Sequence, residues 1–137
     1  MLAALREAGC RITRQRTLVI DYLADRDDHP SASQVHAAVV RKDPGISLTT
    51  VYNTLATLVH TGQVTEIDFD DDHNRYDTNL EPHLNLVCSR CGSISDLALE
   101  LPVRPSEVES ATGFVTTAVR LEYRGMCSRC GDEEAMP

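Results

Sequence analysis

The stretch ISLTTVYNTLATLVHTGQVTEIDFDDDHNRYD, residues 46–77, changes its hydrophobic period midway, and that change decides the fold of the N-terminal half. Between Ser47 and Thr61 the apolar residues Leu48, Val51, Leu55, Leu58 and Val59 recur at helical spacing, with Ser47 as N-cap and Gly62 as stop. Beyond Gly62 the period falls to two. Val64–Ile67 and Asn74–Asp77 read as a pair of strands around the acidic turn Asp70-Asp71-Asp72.

Working back from residue 46, Asp43-Pro44-Gly45 is a turn, and Ser31 or Ser33 caps a helix with Ala32, Val35, Ala38 and Val39 on one face. Thr13 caps another helix carrying Leu18, Val19, Tyr22 and Leu23, and Leu2–Ala8 forms a short one ended by Gly9. Four helices and a hairpin in this order predict a helix-turn-helix followed by a hairpin wing. Working forward, Leu84–Cys88 and Ser93–Leu97 read as a strand pair, Pro105–Thr112 as a helix and Phe114–Tyr123 as a final strand, with an irregular acidic tail after Gly131. The fold class is therefore α+β: a winged-helix domain over residues 1–77, a hinge over 78–82 and a small α/β domain over 83–137.

At 137 residues the chain has room for one domain or two very small ones. A chain of this size buries only about two-thirds of its unfolded surface, so each half needs help from metal or from a second copy. The net charge of −8 is unevenly distributed. Residues 1–62 carry seven Lys/Arg against six Asp/Glu, whereas residues 63–137 carry six against fifteen. Phosphate contact needs local positive charge, not a basic whole, so this balance permits nucleic-acid binding by the first half. No apolar run of membrane-spanning length and no export leader stands in the sequence, which predicts a cytoplasmic protein.

The pentapeptide CSRCG occurs at Cys88–Gly92 and again at Cys127–Gly131. Two C-x-x-C pairs can point four thiolates, Cys88, Cys91, Cys127 and Cys130, at one tetrahedral zinc ion. The intervening 35 residues have room for a strand, a helix and a returning strand, so the metal would clip together the two ends of one small domain. Such a closed site is structural and leaves no position for catalysis. Two redox dithiols are the alternative, but the thioredoxin-like βαβ pattern that goes with them is missing. Cys10 is the fifth cysteine and reads as a small buried hydrophobe.

With the apolar face of residues 47–61 turned inward, Thr49, Tyr52, Asn53, Ala56 and His60 are left for the outside, and Thr50 joins Thr49, Tyr52 and Asn53 as a candidate DNA contact. Thr, Tyr and Asn suit base edges, thymine methyls and phosphates, and they occupy the turns that a recognition helix presents to DNA. Arg11, Arg14 and Arg16 precede the second helix and are candidate phosphate contacts.

Taken together these residues resemble the ferric uptake regulator family over nearly the whole chain. The matching stretches are GCRITRQR at 9–16, HPSA at 29–32, ISLTTVYNTL at 46–55, TGF at 112–114, and both CSRCG turns. The resemblance implies a homodimer that represses transcription from double-stranded operator DNA when a regulatory metal is bound. It implies structural zinc on the four cysteines and a sensing ion, Fe(II) or Mn(II), on His29, Asp77, His83, Asn85 and Asp96. Borderline imidazole with carboxylate oxygen suits such ions. Aspartate at both carboxylate positions resembles the peroxide-sensing branch, whose ligand histidines are oxidised through iron chemistry. His29 and His83 match the two susceptible positions.

This sequence departs from the family at three places. Arg14 stands where proline is usual, Asn85 where a third histidine is common, and Ala118-Val119 where many members carry a histidine pair. His36, His60 and His73 read as surface residues. Iron, manganese or zinc sensing without peroxide chemistry is the nearest rival. Two histidines and a carboxylate could also make the facial triad of a non-haem iron enzyme, but no second cofactor motif, membrane segment or small-molecule substrate site accompanies them. A third possibility is a zinc-stabilised dimerisation module that senses nothing.

Overall fold

The computed structural model describes residues 1–69, 73–98 and 100–134. The acidic turn Asp70-Asp71-Asp72 lies outside the described residues. The chain folds into two compact units, Met1–Leu80 and Glu81–Pro137.

Unit 1 contains α1 (Leu2–Glu7), α2 (Arg14–Ala24), α3 (Ala32–Val39), α4 (Leu48–His60) and the antiparallel hairpin β1 (Thr65–Ile67) and β2 (Arg75–Asp77). Its helix starts follow capping chemistry. The side chains of Thr13, Ser31 and Ser47 accept from the backbone N–H groups of Arg16, Gln34 and Thr50. Ser31 rather than Ser33 caps α3, because Gln34 returns a hydrogen bond to the Ser31 N–H and completes a capping box. Leu5, Val19, Ile20, Leu23, Val35, Val39, Ile46, Val51, Leu55, Leu58, Val64 and Tyr76 form one continuous core. Each large aliphatic side chain buried there is worth about 1.5–3 kcal/mol.

Three local expectations change in this unit. Leu48 is exposed at the first turn of α4, and the buried face is completed instead by Thr54, whose hydroxyl donates to the Thr50 carbonyl. His36 is half-buried rather than on the surface. Its Nε2 lies 3.0 Å from the Ile46 carbonyl and ties α3 to the turn before α4. Cys10 is partly buried against the core.

Unit 2 is a three-stranded sheet of order β4-β3-β5, made of β3 (Leu84–Cys88), β4 (Ile94–Leu97) and β5 (Leu121–Gly125). β3 pairs antiparallel with β4 and parallel with β5. The parallel pairing demands a crossover, and α5 (Pro105–Thr112) lies in it. The final strand is shorter and later than its expected span of 114–123, because parallel register with β3 begins only at Leu121. After β5 the chain enters α6 (Ser128–Glu134), so the expected irregular tail is helical through Glu134.

Among the described residues of unit 2, the buried hydrophobics are Leu84, Val87, Cys88 and Cys130. Phe114, Val115, Tyr123 and Met126 are more than half exposed. This unit has almost no core of its own, so cross-linking and burial by other means must supply its stability.

Candidate metal centres and nucleic-acid interface

The four paired cysteines converge in unit 2, their Sγ atoms all within 4.8 Å of one another. Cys88 ends β3, and the first CSRCG turns back with the Gly92 N–H donating to the Cys88 carbonyl. Gly92 has φ 68°, a left-handed conformation that other residues adopt at a cost. The second CSRCG has a different shape: it opens α6, and Gly131 lies within that helix. A permissive glycine is thus required in the first repeat only.

Cys91 and Cys127 have their sulfurs 3.8 Å apart. A tetrahedron with metal–sulfur bonds of about 2.3 Å has sulfur–sulfur edges of about 3.8 Å, so this spacing suits a shared zinc ion and is far from a bonded pair at about 2.05 Å. The surroundings favour thiolate. The Ser93 side chain, 3.2 Å from Cys91 Sγ, leads in lowering the Cys91 thiol to about 5. Backbone N–H groups of Cys91 and Cys127 lower Cys88, and the Cys127 N–H lies 3.4 Å from Cys88 Sγ. Burial first, then hydrogen bonds from the other cysteines, push Cys130 up to about 12. A divalent cation is what would let all four ionise together. The two arginines divide their work. Arg129 lies 4.0 Å from Cys91 Sγ, while Arg90 donates to the Cys130 carbonyl and braces the turn.

Each unit also holds a histidine–aspartate pair among its described residues. In unit 1, His29 Nε2 and Asp77 Oδ2 lie 3.4 Å apart, both side chains 4% exposed. Pro30 and Ser31 place this pair: the Pro30 carbonyl accepts from the Tyr76 N–H, Ser31 bridges to Arg75, and Arg75 donates to the His29 carbonyl. Asp77 keeps its other oxygen on the Asn79 N–H. In unit 2, His83 Nε2 and Asp96 Oδ1 lie 3.7 Å apart. His83 Nδ1 donates to the Glu81 carbonyl at 2.7 Å, which turns Nε2 toward the aspartate. Asn85 stands opposite Asp96 in the strand register. Its Oδ1 is buried and accepts no hydrogen bond. Imidazole nitrogen with carboxylate and amide oxygen is a donor set for Mn(II), Fe(II) or Zn(II).

The α4 surface turned away from the core presents Thr49, Asn53, Ala56 and His60 exposed, with Thr50 and Tyr52 partly so. A groove of about 540 Å³ runs beside it, lined by Tyr52, Asn53, Ala56 and His60 of the helix and by Glu66, Asn74 and Tyr76 of the hairpin. The Glu66 carboxylate accepts from the Asn74 amide at 2.8 Å and from the Tyr76 hydroxyl at 3.2 Å, fixing the hairpin wall of that groove. Sequence reasoning missed this network; the Glu66–Tyr76 cross-strand register is the signal that carries it. Arg11 and Arg14 are exposed. Arg16 is half-buried and donates to the Arg11 carbonyl at 2.6 Å, so it also shapes the loop that displays Arg11. No helix among the described residues is long and apolar enough to cross a membrane.

Comparison with known proteins follows the same lines. The model of the ferric uptake regulator family matches residues 7–124. A peroxide-responsive repressor of Staphylococcus epidermidis is 35% identical over 133 residues, covering 96% of this chain and 89% of that protein. The Campylobacter jejuni peroxide stress regulator superposes with a TM-score of 0.72 at 30% identity, over 95% of this chain and 98% of that one. PerR from Streptococcus pyogenes, whose structure concerns peroxide sensing and gene regulation, gives 0.52 at 32% identity over 94% and 89%. Relatives of this kind are metal-responsive transcriptional regulators, and with a family match across most of its length the chain belongs to the ferric uptake regulator family.

Proposed function

We propose that this chain is a cytoplasmic, homodimeric repressor that binds double-stranded operator DNA when its sensing ion is bound and lets go when peroxide oxidises a ligand histidine. The observation that carries the reading is the pairing of each candidate histidine with an aspartate, His29 with Asp77 and His83 with Asp96. In this reading His29, Asp77, His83, Asn85 and Asp96 hold Fe(II) or Mn(II), while Cys88, Cys91, Cys127 and Cys130 hold structural zinc. Thr49, Thr50, Tyr52 and Asn53 meet base edges and phosphates, and Arg11, Arg14 and Arg16 meet phosphates. Support for the dimer comes from the exposed apolar residues of unit 2, Phe114, Val115, Tyr123 and Met126, which a second copy would cover. Ferrous iron, when bound, supplies the one-electron chemistry that splits the peroxide O–O bond. One peroxide oxygen then ends on an imidazole carbon of His29 or His83, and the other leaves as water.

Metal removal tests the reading directly. Chelating the sensing ion while one zinc per chain stays on the cysteines is expected to abolish operator binding in fluorescence anisotropy, and Fe(II) or Mn(II) should restore it. DNA binding indifferent to that treatment would leave only a zinc-stabilised module.

DNA reading is separable from sensing. Tyr52→Ala is expected to weaken operator binding by about 1–3 kcal/mol while metal content and the dimer stay unchanged. Because Tyr52 packs partly against the unit 1 core, Tyr52→Phe serves as the control that keeps the ring and removes only the hydroxyl. A dimer lost on either change would place this face in the protein interior.

A further inference from the structure

We propose that Asn85 tunes the metal preference of the sensing site, its amide oxygen acting as a ligand that shifts selectivity toward Mn(II) and Fe(II) relative to Zn(II). The inference deepens the proposed function and rests on it. The case begins with strand geometry. His83 immediately precedes β3, two residues before Asn85. Directly paired residues of antiparallel strands are side by side, and Asn85 pairs with Asp96. His83 Nε2 and Asp96 Oδ1 already lie 3.7 Å apart. The three side chains thus bring one nitrogen and two oxygens together.

The state of the amide oxygen is the second observation. Asn85 Oδ1 is buried and accepts no hydrogen bond. Native proteins rarely leave such an acceptor unsatisfied, because the desolvation cost stays uncompensated. A cation is the partner that would satisfy an amide oxygen and a carboxylate at once. Glu81 reinforces the arrangement by holding the proton of His83 on Nδ1, so that Nε2 is a donor to metal.

Donor hardness then decides which cation. Carbonyl and carboxylate oxygens suit Mn(II), whereas imidazole favours later ions and Zn(II) along the usual affinity order. An amide oxygen in this position therefore narrows the advantage that Zn(II) would otherwise hold. The site would stay open to the two earliest ions of the series.

The test uses the full chain with its cysteine-bound zinc in place, and follows Mn(II) and Zn(II) separately against a fluorescent competing chelator. Asn85→His is expected to tighten Zn(II) about 10–100-fold, the size of effect that changes around metal ligands produce, while moving Mn(II) far less. Its cobalt(II) visible spectrum should shift to shorter wavelength as nitrogen replaces oxygen. Asn85→Leu, similar in volume, should weaken Mn(II), and Asn85→Asp should keep both the oxygen donor and the preference. One zinc per chain and an unchanged circular dichroism spectrum certify the fold of each variant. The proposal is overturned by an Asn85→Leu variant that binds Mn(II) as the parent does, or by an Asn85→His variant whose zinc-to-manganese preference has not moved. A parent that shows the metal preference yet binds operator DNA equally well without metal keeps the selectivity and loses the repressor reading. A parent that takes up no second ion removes both.

Discussion

Cys127→Ser is expected to lose its zinc, and with it the fold of unit 2, while the helices of unit 1 persist. Structural zinc held by thiolates contributes roughly 10–16 kcal/mol in small zinc peptides, as much as or more than the whole stability of a typical domain. Unit 2 has little to set against that loss. Its buried hydrophobics among the described residues are Leu84, Val87 and two of the zinc-site cysteines themselves, Cys88 and Cys130. Unit 1 differs in kind. Its core runs from Leu5 through Leu58 to Tyr76 without using a metal, so most of the helical signal should survive in far-ultraviolet circular dichroism. Zinc content should fall to zero and sedimentation should report monomer. Cys91→Ser should behave alike, since its thiolate is the one most strongly stabilised by its surroundings and the one whose sulfur is 3.8 Å from Cys127. A Cys127→Ser protein that keeps one zinc and its dimer would remove the structural-zinc reading. So would X-ray absorption of the parent showing nitrogen and oxygen neighbours at its tightly held zinc.

Much of the fold was legible because the deciding signals are local. The caps at Thr13, Ser31 and Ser47 are bonds between a side chain and its own helix, and helical spacing from Val51 to Leu58 needs no partner to be recognised. The CSRCG repeat was legible for a similar reason, since a tetrahedral site is announced by the ligands that make it. What could not be read depends on distant partners. Where β5 begins is set by its register with β3, so Phe114–Arg120 looked like strand on composition alone. Leu48 looked inward by spacing, yet Thr54 satisfies its own hydroxyl within the helix and takes a buried place that apolar patterning cannot assign to threonine. The acidic residues after Gly131 looked irregular, although the sequence from Ser128 carries α6 through them. At the candidate sensing site the residue types were legible through the family resemblance. The buried, unsatisfied oxygen of Asn85 and the proton assignment on His83 needed the strand pairing and the Glu81 carbonyl.

Peroxide added to the Fe(II) form is expected to release the protein from operator DNA and to leave one oxygen atom's mass on His29 or His83; the Mn(II) form should stay bound. The expectation follows from what each side chain offers. Both histidines present Nε2 toward an aspartate, His29 toward Asp77 at 3.4 Å and His83 toward Asp96 at 3.7 Å. A ligand histidine would therefore be held against the ion, within reach of an oxidant generated there and too close for it to escape first. Both carboxylates are short. Asp77 is buried with one oxygen held by the Asn79 N–H, and Asp96 stands opposite Asn85 in the strand register. Oxidising an imidazole carbon spoils the nitrogen donor beside it, and losing a ligand lowers affinity for the ion and with it the metal-bound, DNA-competent population. Manganese(II) gives up an electron to peroxide less readily, so the same ligands around it should survive. Asp96→Glu sharpens the test. The longer carboxylate keeps an oxygen donor but changes how the ion is held beside His83, so metal-dependent repression should persist while the peroxide response is blunted. The measurements are anisotropy on operator DNA and mass spectrometry of the peptides containing His29 and His83, after anaerobic loading with each metal. An Fe(II) form that remains on DNA, unmodified at peroxide levels that oxidise free methionine added as a control, would argue for sensing of the metal itself, because the aspartate pairs would then serve binding without exposing a histidine to oxidation.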